Sequence, residues 1–182
     1  MEKQLNLFLI VLGGKPPGRK IEQHDVAFAI GESIDAVKVS LRQGWEHASH
    51  IDSYMAIDEV DGYKVSLMDA SLQADTGLKL FFINLGGYRE NDLEEYHKKI
   101  VVAAANIEEA KTIVKRDSFF LHGYVNDTVS NHIDDKILLM DTAVDDVIII
   151  NDMLSSAVHI ILTRNHQARF DHNKKIPAYI LL

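Results

Sequence analysis

Apolar runs and short alternating segments divide this chain more clearly than any single motif does. Residues 5–14 read LNLFLIVLGG, apolar at nearly every position and rich in Leu, Ile and Phe, the pattern of a strand buried on both faces. An irregular loop, GGKPPGRKIEQ, follows, and HDVAFAIG then alternates Val26, Phe28 and Ile30 with smaller residues, as a second strand does. Ser33 is placed to cap a helix whose apolar positions Ile34, Val37, Leu41 and Trp45 advance by three or four, with Gly44 marking its end. Strand character returns from His50, with Ile51, Met55 and Ile57 on one side. Asp61-Gly62 predicts a two-residue type I′ turn into a paired strand over residues 63–68. The predicted order is ββαββ.

The opening run recurs. Residues 78–87 read LKLFFINLGG and match residues 5–14 at seven of ten positions, at a shift of 73. The polar stretch DASLQADTG (69–77) separates the copies. EYHKKIVVAA then stands where EQHDVAFAIG stood, and Asn106 with Glu109 supplies a cap for a helix carrying Ile107, Ala110, Ile113 and Val114. Beyond this helix, HID at His132 aligns with HID at His50 in preference to an alignment with His122. VDDVIIIND (144–152) and AVHIILT (157–163) are then expected to form the closing strand pair. The fold class expected is α+β, a tandem duplication of a ββαββ unit with a pseudo-twofold, mainly antiparallel sheets and one helix per unit. The first unit spans 1–72 and the second 78–182, with an insertion at 117–131 and a tail at 164–182; Pro177 confines the apolar end of that tail to a sheet edge or a strand start.

The motifs LGG (12–14), GRKIEQHD (18–25), HIDSY (50–54) and VDGY (60–63) carry a family resemblance. In the second half it continues through NLGGY (84–88), HIDDK (132–136) and VDD (144–146). The chain resembles a small bacterial family catalogued as a domain of unknown function, whose members carry one or two copies of the unit. That resemblance implies no reaction, substrate or cofactor.

Composition narrows the partners. Among 182 residues, 47% are hydrophobic and 25% charged, enough for a core without metal or disulfide. Nineteen Lys and Arg against 27 Asp and Glu give −8, which disfavours nucleic acid and anionic lipid. The chain has no Cys, which excludes disulfides and thiolate chemistry and suits a cytoplasmic location. Lys3 before an apolar run imitates a signal peptide, yet the run of residues 7–12 is too short for an export core or for a membrane span of about 20 residues, and its twin lies far inside the chain. A cytoplasmic protein that does not enter the membrane is expected, with a small molecule and a second copy of the chain as possible partners.

The duplication acts as a filter on polar residues. The pairs kept are Glu22/Glu95, His24/His97, Lys38/Lys111, His50/His132 and Asp52/Asp134. The Lys pair fits a solvated helix face. Glu22 and His24 are two apart at a strand start and so share a side; with His50 and Asp52 they could converge as ligands of a divalent metal, or as a His-carboxylate general base. The commoner role of such residues is to tether loops and cap turns, and that role is weighed most heavily. Arg19, with Lys15 and Lys20, offers a loose anion clamp, and Asp25 joins Arg19, Glu22, His24, His50, Asp52, Glu95, His97, His132 and Asp134 as a ligand-binding candidate. GGKPPGRK is not a P-loop: Lys20 is one residue late, no Ser or Thr follows, and two prolines remove N–H donors. Asp134, Asp135, Asp141, Asp145 and Asp146 could bind a hard cation but fit a solvated loop better. The sequence has no GxSxG, HExxH or dinucleotide fingerprint. The function is left as unknown, with a non-enzymatic ligand-binding or assembly module expected first and a metal-assisted hydrolase using Glu22, His24, His50 and Asp52 as the alternative. The cofactor is left as unknown.

Overall fold

The computed structural model describes residues 4–71, 77–121, 139–154, 157–166 and 175–182. The first apolar run becomes β1 (Asn6–Gly14), buried along most of its length because it has neighbours on both edges. It pairs antiparallel with β2 (Gln23–Gly31) on one side and β3 (Ala48–Ala56) on the other. Between β2 and β3 runs α1 (Ile34–Gly44). Ser33 Oγ accepts the Ala36 N–H at 3.3 Å where the helix starts, and the Trp45 N–H donates to the Leu41 carbonyl at 3.2 Å where it ends. Val37 and Leu41, four residues apart, are buried in a core with Phe8, Ile10, Leu12, Ala29 and Ile51. Burying each is worth roughly 1.5–3 kcal/mol. Since Phe8, Ile10 and Leu12 alternate along β1, Val11 and Gly13 face the side away from the helix.

The predicted hairpin is β4 (Glu59–Val60) turning into β5 (Tyr63–Asp69), with φ of 52° at Asp61 and 78° at Gly62, as a type I′ turn requires. In the second half, β6 (Lys79–Arg89) is the central strand, with β7 (Glu95–Ala104) and β8 (Leu139–Ile149) antiparallel on its two edges. Helix α2 (Ile107–Val114) follows β7 and buries Ala110 and Val114 against Phe81, Ile83 and Leu85. Its cap is reciprocal: Asn106 Oδ1 accepts the Glu109 N–H at 2.9 Å, and Glu109 Oε2 accepts the Ala105 N–H at 2.7 Å, one residue ahead of the position a capping box usually serves. Single helical turns, Ser118–Leu121 and Ile150–Met153, precede and follow β8 in the chain.

The expected closing pair does not form. The Val144 segment lies in β8 beside β6, while β9 (Val158–Arg164) pairs with β5 and β10 (Ile176–Leu181) with β3. A central strand apolar on both faces needs a neighbour on each edge, and for β6 that second neighbour is β8. The compact units are therefore Met1–Thr76 with Asn151–Leu182, and Gly77–Ile150. The sheet orders are β10-β3-β1-β2 and β4-β5-β9 in the former and β7-β6-β8 in the latter. Pro177 sits near the start of edge strand β10, as its missing N–H dictates. The architecture is α+β with mostly antiparallel sheets and few helices. Among the described residues no helix is long and apolar enough to cross a membrane.

Candidate functional site

Gly13 on β1 lies opposite His24 of β2 and His50 of β3, so all three positions share the sheet face away from α1. Glu22, two residues before His24, is directed to the same face. On β3 the register shifts: Leu12 pairs with Ile51 and Val11 with Ser53, which leaves Asp52 as the extra residue of a β-bulge. A bulge holds two successive side chains on one side, here Asp52 and Ser53, while Ile51 and Tyr54 both pack in the helix-side core. The four side chains meet over the glycine. His50 Nε2 lies 2.9 Å from Glu22 Oε1 and 3.1 Å from Asp52 Oδ1, and His24 Nε2 lies 3.2 Å from Asp52 Oδ2.

The His50 ring is buried, with only 5% of its side chain exposed. Ser49 Oγ is 2.9 Å from its Nδ1, and the Tyr179 ring of β10 lies against it at 4.3 Å between centroids. His50 Nε2, facing two carboxylates at these distances, is placed to donate to one of them. The set runs Glu22-His50-Asp52, with His24 beside its end. His24 approaches Asp52 Oδ2 off the line of a hydrogen bond, so that oxygen is buried without a donor among the described residues. Gly13 has no room for a side chain: a Cβ there would meet the His50 imidazole and the Glu22 carboxylate.

The second unit repeats the plan with one exchange. Gly86 lies opposite His97 of β7, and β8 bulges at Asp145, since Asn84 pairs with Asp146 and Leu85 with Val144. Asp145 and Asp146 thus share the face away from α2, while Val144 and Val147 pack in the core on the other side. The residue opposite Gly86 on β8, however, is Ala143, where the first unit has His50. What remains is Glu95, His97 and Asp145, with His97 Nε2 at 3.6 Å from Glu95 Oε2 and 3.5 Å from Asp145 Oδ2. Burial, then the charge of Glu95, raises the Asp145 carboxyl above its ordinary pKa, opposed in part by His97. Tyr88, opposite Glu95, has its hydroxyl pKa raised chiefly by the Glu95 charge. A Cβ on Gly86 would strike the Asp145 and Glu95 carboxylates.

Of the residues singled out from the sequence, Glu22, His24, His50 and Asp52 come together, and so do Glu95 and His97. Arg19 stays on an exposed loop. Asp25, opposite Leu12, belongs to the helix side of its sheet, where it accepts the Val26 N–H at 2.7 Å and borders a cavity of about 610 Å³ beside Trp45. It is not part of the cluster. His132 and Asp134 lie outside the described residues, and the places expected for them beside Gly86 are held by Ala143 and Asp145. Sequence reasoning named Asp145 only within an acidic group read as a solvated loop, and missed Tyr88, Ser49 and Tyr179. The available signal for Asp145 was a shared interruption: IDSY and VDDV each set two polar residues between apolar ones, which is how a bulge reads in sequence.

This antiparallel α+β fold is shared with a solved protein. The crystal structure of a protein Il1583 from Idiomarina loihiensis is similar with a TM-score of 0.67 at 24% identity, covering 98% of each chain. Residues 19–67 match the family described as Domain of Unknown Function (DUF1543), in agreement with the resemblance carried by GRKIEQHD, HIDSY and VDGY. No curated protein matches.

Proposed function

We propose that the protein is a small-ligand-binding module made of two copies of one ββαββ unit, each presenting an imidazole-carboxylate cluster on the sheet face away from its helix. The equal registers of Gly13 with His24 and Gly86 with His97 support the duplication, as do the bulges at Asp52 and Asp145. On this reading β5 and β9 are the corresponding last strands of the two copies, paired with each other. The cysteine-free composition accords with a cytoplasmic setting.

One observation carries the proposal. In both units a glycine of the central strand lacks room for a Cβ because two polar side chains occupy that space. Loop tethering would not require a cleared strand floor, whereas close approach of polar groups to the backbone at a binding site does. The buried, undonated Asp52 Oδ2 adds an acceptor that a ligand N–H or O–H would satisfy.

A thermal-shift screen of metabolites and nucleotides tests the reading. At least one class is expected to raise the melting temperature, and the rise should vanish in Glu22→Gln or in Glu95→Gln. If no compound shifts the melt and Gly13→Ala and Gly86→Ala melt like the parent, the reading fails. The metal-assisted alternative draws support from Glu95, His97 and Asp145, whose ligand atoms lie within 4.8 Å of one another, and not from the hydrogen-bonded first-unit set in which the sequence located it.

A further inference from the structure

We propose that Glu95, His97 and Asp145 form a divalent-cation site in the second unit, a specialisation that the first unit lacks. The inference rests on reading the clusters as binding sites. Their donor atoms all lie within 4.8 Å of one another. The separations of 3.5 and 3.6 Å from His97 Nε2 to the two carboxylates exceed good hydrogen-bonding distance. They match the ligand-to-ligand edge of roughly 3.3–3.6 Å that a tetrahedron with bonds of about 2.0–2.2 Å would have. In the first unit the corresponding groups stand closer, at 2.9–3.2 Å.

Charge points the same way. Two carboxylates share the second-unit site, and among the described residues no Lys or Arg pairs with either of them. Ala143 stands opposite Gly86 where His50 stands opposite Gly13, so among the described residues no second imidazole takes that position, and a metal there would keep coordination positions for water or for an oxygen of a bound molecule. Side chains 28–37% exposed allow the ion to enter. One imidazole with two carboxylates suits a borderline ion such as Zn²⁺, Co²⁺ or Mn²⁺ better than Ca²⁺, which takes six to eight oxygen ligands. Tyr88, beside Glu95, is placed to orient that carboxylate.

The full chain, stripped with chelator, would be titrated with Co²⁺, Zn²⁺, Mn²⁺ and Ca²⁺ by calorimetry, with the visible absorption of Co²⁺ as a second readout. One equivalent of Co²⁺ or Zn²⁺ per chain is expected. Affinity should fall at least tenfold in His97→Ala and in Asp145→Asn, and stay unchanged in His159→Ala, at an exposed position of β9 outside both clusters. Circular dichroism of each metal-free variant separates lost ligation from lost folding, and if His97→Ala unfolds, His97→Gln takes its place. The proposal is overturned if none of the four ions binds up to millimolar concentration, or if binding survives loss of His97 and disappears with His24. Absence of metal binding alongside a metabolite shift abolished by Glu22→Gln would sink this site while leaving the broader reading intact.

Discussion

A carboxylate whose pKa is raised by burial and a neighbouring negative charge opposes folding once it ionises, and Asp145 is in that position. Its folded pKa lies above the ordinary 3.8, so the stability it contributes is complete below that value and is lost as pH rises through the folded pKa. Asp145→Asn should therefore raise the melting temperature of the metal-free protein at pH 7, with the advantage shrinking as pH falls toward 4. Melts of parent and variant at several pH values check this; a lower melting temperature for the variant at pH 7 would contradict it. The residues of the first cluster were legible because the chain states two of the four twice in matching places, as Glu22/Glu95 and His24/His97. Asp145 was not, because among Asp141, Asp145 and Asp146 it reads as one acid in a solvated run. Its orientation comes from a backbone irregularity that residue type does not encode.

At the scale of elements, local signals served well where one segment decides its own conformation. Ser33, Asn106 and Asp61-Gly62 each sit where their chemistry located them, since caps and tight turns depend on a few adjacent residues. The α2 cap is the stronger test, because Asn106 and Glu109 each satisfy a backbone N–H that would otherwise be orphaned. Asn106→Ala should cost about 1 kcal/mol in urea unfolding, near the middle of the range for such caps, with an unchanged m-value. The bulges escaped because one extra residue reverses the inward-outward pattern midway along a strand. A reader who expects strict alternation sees loop instead.

Across the whole molecule, what sequence could not convey was partnership between distant strands. β9 and β8 both read as strands, yet their partners are β5 and β6, chosen by which edges stood open and not by proximity in the chain. The tail was expected from residue 164, with its apolar end at a sheet edge or a strand start but with no partner assigned to it. Part of it is β10, whose Ile180 packs with Leu182 on the first core and whose Tyr179 covers His50. Removing residues 165–182 should lower stability by about 2–4 kcal/mol from the lost apolar burial, and should speed amide exchange along β3. Denaturant titration and hydrogen exchange measure both effects, and unchanged exchange in β3 would show that β10 contributes nothing to it.

The pairing of β10 with β3 also imposes a schedule on synthesis. β3 ends at Ala56 and β10 begins at Ile176, so 120 residues must be added before the outer edge of β3 finds its neighbour. At about 5–20 residues per second, that edge waits roughly 6–24 s on the ribosome, a window in which a chaperone or another nascent chain has the first opportunity to occupy it.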